Sequence, residues 1–115
     1  MSPQTATREA LAGRKCKPCE GGTKPFSETE IRSQLEKLPG WEFKQNSIVK
    51  VFPFKNYYET TAFVNAVVFI AHREDHHPDI EFGYKKCQVR YSTHAIGGLS
   101  ENDFICAAKV DLLLP

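Results

Sequence analysis

The chain has 115 residues, of which 41% are apolar, 11% aromatic and 25% charged, a composition typical of one globular domain. Its 15 Lys and Arg residues and 14 Asp and Glu residues leave a formal net charge of +1, too small for the basic surface that binding to a nucleic-acid backbone requires. No stretch approaches the roughly 18 apolar residues of a membrane-spanning helix, so we expect neither nucleic acid nor a membrane as a direct partner.

The first 25 residues differ in composition from the rest of the chain. They hold five Lys and Arg against two Glu, together with six Gly and Pro residues, and they show no apolar period. We therefore predict a flexible arm at residues 1–25 ahead of one domain at residues 26–115. Within the arm, Cys16-Lys17-Pro18-Cys19 looks like half of a zinc ribbon without its other half, and we interpret it as an incidental or redox-sensitive dithiol.

Capping and turn residues define the first elements of the domain. Ser27 and Glu30 form a capping box that predicts the start of an amphipathic helix, and a Pro-Gly pair ends this helix before Trp41. Residues 41–43 and 48–54 are then rich in β-branched and aromatic side chains with a polar stretch between them. This pattern predicts a hairpin.

The longest predicted element is a second helix. Asn56 is its predicted N-cap, and the helix must end near His77 because Pro78 disfavours helical geometry in the residue before it. Apolar residues then alternate with polar ones at positions 80–84 and 87–91. This alternation predicts two strands that each bury one face.

A last helix is predicted to begin at Ser100. Asp103 occupies the third position of a second capping box, and capping is a sufficient explanation for this carboxylate. Residues 104–113 supply the apolar side of the helix. The element order is helix, two strands, helix, two strands, helix, which predicts an α+β domain whose four-stranded antiparallel sheet carries three helices packed on one face.

All four histidines lie within one window of 23 residues, from His72 to His94. His72 and His76 are four residues apart in the predicted helix, His77 lies at the end of that helix, and His94 follows the last strand. A single histidine is more often a surface or core polar group. A cluster of four histidines is different, because the ordinary pKa of histidine lies near neutral pH, as general acid–base catalysis requires. We therefore interpret the cluster as a catalytic site.

A zinc site is the competing interpretation, because histidines four residues apart are an effective ligand pair. Two details oppose it. Glu74 is one position away from the base of the His-Glu-x-x-His motif, and no third ligand stands at an obvious spacing. In addition, Gly97-Gly98 lacks the spacing and the lysine of a phosphate-binding loop. We therefore predict no metal and no other cofactor.

Six short motifs follow one another between residues 38 and 103. They are Leu38-Pro39-Gly40-Trp41, Asp75-His76-His77-Pro78-Asp79, Tyr84, Ser92-Thr93-His94, Gly97-Gly98-Leu99-Ser100 and Asp103. Together they resemble the signature of the pterin-4a-carbinolamine dehydratases, and the likeness covers roughly residues 27–113. The resemblance implies a carbon–oxygen lyase that converts 4a-hydroxytetrahydrobiopterin to quinonoid dihydrobiopterin and water, in tetrahydrobiopterin recycling and without a cofactor.

The resemblance also implies which residues form the site. By position, His76 and His94 match the acid–base residues, and His77 matches a third catalytic histidine that holds the pterin and assists proton transfer. The substrate-binding residues that it implies are His72, Asp75, Pro78, Thr93 and Ile96. Two of these depart from the family pattern, since many members carry a carboxylate in place of His72 and some animal members carry a cysteine in place of Ile96.

Partners and location are expectations of the same kind. The resemblance implies a homodimer or homotetramer, and the leucine run at residues 112–114 supports an interface made by the last helix. Some animal relatives bind a transcription factor as coactivators, but we do not transfer this role to the chain. The alternative function is a protein-binding module without catalysis. A small His-ligated zinc protein is a less favoured alternative. Residues 1–22 lack the apolar core of a secretory signal, which favours a cytoplasmic protein, with the nucleus as the other option.

Overall fold

The helices and strands begin close to the capping and turn residues of the sequence. The structure, a computed structural model, describes residues 3–18 and 23–114, with side chains from Arg8 onward within these ranges. In chain order the elements are α1 (Pro3–Ala12), α2 (Glu28–Leu35), β1 (Glu42–Lys44), β2 (Ser47–Pro53), α3 (Tyr57–Glu74), β3 (Asp79–Phe82), β4 (Lys86–Tyr91), a 3₁₀ helix (His94–Ile96) and α4 (Glu101–Asp111). The 3₁₀ helix is absent from the sequence-based prediction.

The four strands form one antiparallel sheet in the order β1-β2-β4-β3. The central pair runs from Ile48 opposite Tyr91 to Pro53 opposite Lys86, so Pro53 ends an interior strand and does not lie on an edge. The inward side chains of β4 are fully buried, while its alternate residues are exposed or half-buried. The predicted α+β class with a four-stranded antiparallel sheet is confirmed, and α1 adds a helix to the three predicted ones.

The core is centred on α4. Nine of its 11 residues are buried, because α1 and α3 both pack against it and the sheet covers a further side. The prediction that the apolar side of this helix extends to residue 113 is wrong. The helix ends at Asp111, and Leu112 and Leu113 are 47% and 40% exposed. None of the helices in the described ranges is long and apolar enough to cross a membrane.

Part of the segment that was predicted to be a flexible arm forms a helix, α1 at Pro3–Ala12. Leu11 is only 2% exposed in the core, and Lys109 donates a hydrogen bond from Nζ to the Ala12 carbonyl oxygen at 2.6 Å. Among the described side chains of α1, from Arg8 onward, Leu11 is the one in the buried class, and one such residue gives no apolar period from which the helix could be predicted. The boundary at residue 25 stays a prediction, as does the Cys16–Cys19 dithiol, since Cys19 lies outside the described residues.

Asp111, at the end of α4, is a carboxylate with a side chain only 3% exposed. Its Oδ1 atom accepts hydrogen bonds from Trp41 Nε1 and from Lys50 Nζ, both at 3.0 Å. We expect Lys50→Met to lower the free energy of unfolding by about 3 kcal/mol, because it leaves a buried charge without its counter-ion. Urea denaturation measures this change.

Lys44→Met is the matched control, since Lys44 pairs with Glu42 at 3.6 Å and both side chains are more than 60% exposed. That substitution is expected to change the free energy of unfolding by less than about 0.5 kcal/mol. Equal losses of unfolding free energy in the two variants would show that the buried pair stabilises the protein no more than the exposed pair does.

Candidate active site

The end of α3 determines where His76 lies. Asp75 adopts the left-handed conformation (φ 50°, ψ 42°), and the amides of Asp75 and His76 both donate to the Ala71 carbonyl oxygen. Aspartate tolerates this conformation better than most residues with a side chain. The helix therefore ends at Glu74, earlier than predicted, and His76 lies beyond it and does not follow His72 along one helix face.

His76 is held by a buried carboxylate. Its Nε2 atom lies 2.7 Å from Oδ1 of Asp103, whose side chain is 0% exposed. The His76 ring also stacks on the ring of Tyr91, with 5.8 Å between centroids and 8° between planes. A neutral His76 donates a hydrogen bond from Nε2 to the carboxylate, and a protonated His76 forms an ion pair with it. Both contacts restrict the ring to one orientation.

Asp103 also caps α4. Its Oδ2 atom accepts hydrogen bonds from the Ser100 amide at 3.0 Å and from Thr93 Oγ1 at 2.7 Å. The predicted capping role is therefore confirmed. The contact with His76 was not predicted from the sequence. Capping occupies one carboxylate oxygen of Asp103, and no sequence pattern indicates what the other oxygen contacts. Complete burial of a carboxylate is the feature that indicates a further partner.

His94 lies in a tight loop after β4. The Thr93 amide donates to the Gly98 carbonyl oxygen at 2.9 Å, and Gly97, with φ of 67°, closes the 3₁₀ helix between them. A side chain at residue 97 would strain this turn. The loop leaves His94 exposed, three residues after the buried Tyr91 of β4.

Two cavities adjoin at His76 and His77. The first, of about 200 Å³, is lined by His76, His77, Ser92, Thr93, His94 and Ala95. The second, of about 270 Å³, is lined by Val68, Ala71, His72, Asp75, His76, His77, Pro78 and Ile80. The two cavities share His76 and His77, and together their linings include all four histidines.

Seven of the eight predicted site residues thus line these two cavities, and their individual roles stay predictions. Ile96 is the exception. It is half-buried, its amide donates to the Thr93 carbonyl oxygen at 3.2 Å, and it lines neither cavity. A larger cavity of about 670 Å³ lies over β3 and β4, but its lining contains no histidine. Within residues 3–18 and 23–114, no group of three or more His, Cys, Asp or Glu side chains is arranged to hold a metal ion.

Comparison with known sequences places this chain in a family. The family model described as pterin 4 alpha carbinolamine dehydratase matches residues 24–113. A protein of Nitrosospira multiformis is 63% identical over 107 residues, which are 93% of this chain and 95% of that protein. A protein of Nitrosomonas eutropha is 62% identical over 105 residues, which are 90% and 93% of the two chains. Both carry the provisional name pterin-4-alpha-carbinolamine dehydratase.

Similar solved structures support the same family. A transcriptional coactivator/pterin dehydratase from Brucella melitensis has a TM-score of 0.77 and 26% identity, over 80% of this chain and 100% of that chain. A pterin dehydratase-like protein, identified as a RuBisCO assembly factor in the alpha-carboxysome, has a TM-score of 0.54 and 28% identity, over 64% and 84% of the two chains. Because the family model matches most of the chain and relatives above 60% identity match nearly its whole length, the chain belongs to the pterin-4-alpha-carbinolamine dehydratase family.

Proposed function

We propose that the protein converts 4a-hydroxytetrahydrobiopterin to quinonoid dihydrobiopterin and water, as a step of tetrahydrobiopterin recycling. The observation that carries this proposal is that His76, His77 and His94 line one cavity, in which His76 is fixed by a buried carboxylate. Family membership supplies the substrate class, because the relatives are named for a pterin carbinolamine.

The reaction requires two proton transfers on one bicyclic ring. The hydroxyl group on C4a leaves as water after it receives a proton, and N5 loses its proton as the C4a–N5 double bond forms. General acid–base groups in the same cavity serve both transfers. We assign them to His76 and His94, which reach the cavity from different parts of the chain, and we assign His77 to holding the pterin and assisting transfer.

Asp103 is a positioning residue in this proposal. It lines neither cavity and acts through His76. Because its carboxylate binds Nε2, the other ring nitrogen, Nδ1, is the one that exchanges protons with the substrate. The buried negative charge also stabilises the imidazolium that forms whenever His76 accepts a proton.

Absorbance-monitored decay of the carbinolamine, generated in situ by an aromatic amino-acid hydroxylase, tests the proposal. The decay rate is expected to rise above the spontaneous rate in proportion to the concentration of the protein. Added chelator is expected to leave that increase unchanged, whereas a His-ligated zinc protein would lose it. A decay rate that never exceeds the spontaneous one overturns the proposal.

A protein-binding function is the second candidate. It is favoured by the leucines after α4, which are 37–47% exposed, and by Phe69, which is 60% exposed on α3. Apolar side chains exposed in this number are typical of protein interfaces. The homodimer or homotetramer and the cytoplasmic location stay predictions, and the transcription-factor role of some relatives is not transferred to this chain.

A further inference from the structure

Two thiols meet on the inner side of α4. Cys16 Sγ lies 3.4 Å from Cys106 Sγ, although the two residues are 90 positions apart in the chain. Cys106 is fully buried in the middle of α4, and Cys16 is half-buried. One thiol of the pair is therefore accessible to a reagent in solution, and the other is reached only through it.

Backbone hydrogen bonds hold the segment that carries Cys16. The Cys16 amide donates to Glu74 Oε1 at 2.9 Å. The Lys17 amide donates to Asn102 Oδ1 at 3.0 Å, and Asn102 Nδ2 donates back to the Lys17 carbonyl oxygen at 2.6 Å. These bonds hold the backbone around Cys16 against the end of α3 and the first turn of α4, and so keep Cys16 beside the helix that carries Cys106.

The thiol pair lies close to the candidate active site. Burial raises the pKa of Tyr91 above its usual range, and the neighbouring Cys106, Cys16 and Asp103 raise it further. The Tyr91 ring stacks on His76. One side chain therefore separates the thiols from the imidazole that we assign to catalysis.

We propose that Cys16 and Cys106 form a reversible disulfide, with a low-molecular-weight disulfide such as oxidised glutathione as the oxidant. Cys16 Sγ attacks the oxidant and releases one thiol. Cys106 Sγ then attacks Cys16 Sγ in the mixed disulfide and releases the second thiol. The protein loses two protons and two electrons, and the oxidant is reduced to two thiols.

The reaction needs little rearrangement and has a slow second step. Disulfide formation shortens the distance between the sulfur atoms to about 2.05 Å. The hydrogen bond with Cys16, together with burial, raises the pKa of Cys106 above its usual range, so Cys106 attacks slowly. The cross-link closes a loop of 90 residues and restricts the unfolded chain, which stabilises the folded protein.

Peptide mapping after incubation with oxidised glutathione tests the proposal. Free thiols are alkylated without prior reduction, and the digested protein is analysed by mass spectrometry. We expect a peptide that links Cys16 to Cys106, a mass loss of about 2 Da for the intact chain, and a melting temperature raised by about 5 °C or more and lowered again by a reductant. The Cys16→Ser and Cys106→Ser variants are expected to lose all three effects.

Two further variants are matched controls. Cys87→Ser is expected to keep the cross-link, because Cys87 is buried in β4, where its Sγ atom lies 4.0 Å from the Gln88 carbonyl oxygen and takes no part in the thiol pair. Cys19→Ser is expected to keep it as well, which separates the proposed link from a Cys16–Cys19 disulfide. A Cys16–Cys19 disulfide in the wild type, glutathione that stays attached to Cys16, or an unchanged mass would each overturn the proposal. Mass and melting temperature do not depend on catalysis, so this result is independent of the proposed function.

Discussion

Alanine at His76 or at His94 is expected to lower kcat/KM for carbinolamine dehydration by at least about 100-fold, because each ring supplies one of the two proton transfers. Both variants are expected to fold. His94 is exposed, and the side chain of His76 is 12% exposed at the edge of the core. The carbinolamine decay assay measures the loss of activity, and circular dichroism with thermal melts measures the fold.

His72→Ala is the matched control for this prediction. His72 borders only the second cavity and lies in the last turn of α3. We expect this variant to raise KM with little change in kcat, as a substrate-binding contact would. Equal losses of kcat in all three variants would contradict the assigned acid–base roles. Full activity of the His76 and His94 variants would instead favour protein binding as the function of the protein.

Asp103→Asn is expected to reduce both stability and turnover. The Oδ2 atom accepts hydrogen bonds from Ser100 and Thr93, and the Oδ1 atom lies 2.7 Å from His76 Nε2, so an amide at this position replaces one of these two acceptors with a donor. Such a loss costs about 1–3 kcal/mol of unfolding free energy. Without its partner, His76 also loses its fixed orientation, and we expect kcat to fall by about 10- to 100-fold. Urea denaturation and the carbinolamine assay measure the two effects.

The effects on kcat and KM separate a positioning role for Asp103 from a purely structural one. Removal of the carboxylate beside His76 is expected to lower kcat with little change in KM, whereas a lost helix cap alone would lower stability and leave kcat of the folded protein unchanged. Glu101→Gln changes an exposed carboxylate in the same turn of α4 and is expected to alter neither kcat nor KM. Lower stability with an unchanged kcat would restrict Asp103 to capping.

Local signals were sufficient to predict most of the domain. Ser27, Asn56 and Ser100 are the N-caps of α2, α3 and α4, as predicted, because a cap depends on residues within one turn. The buried face of β4 also follows from alternation alone. The clustering of the histidines in sequence indicated the candidate site, since α3 and β4 are neighbours in the fold.

The features that sequence reasoning did not find depend on contacts between distant parts of the chain. The pairing of His76 with Asp103 joins residues 27 positions apart, and the pairing of Cys16 with Cys106 joins residues 90 positions apart. The first helix is stabilised by Leu11 in the core and by a bond from Lys109, neither of which leaves a local pattern. The end of α3 was also not predicted, because it depends on the left-handed conformation of Asp75, which ends the helix at Glu74.

The carboxylate of Asp103 belongs at once to the scaffold and to the proposed catalytic machinery. Transient fraying of the first turn of α4 would withdraw the partner of His76 in the same event, so the site and this helix end open and close as one cooperative unit. A substitution that improved this cap would therefore also alter the partner of His76 and with it the proposed site.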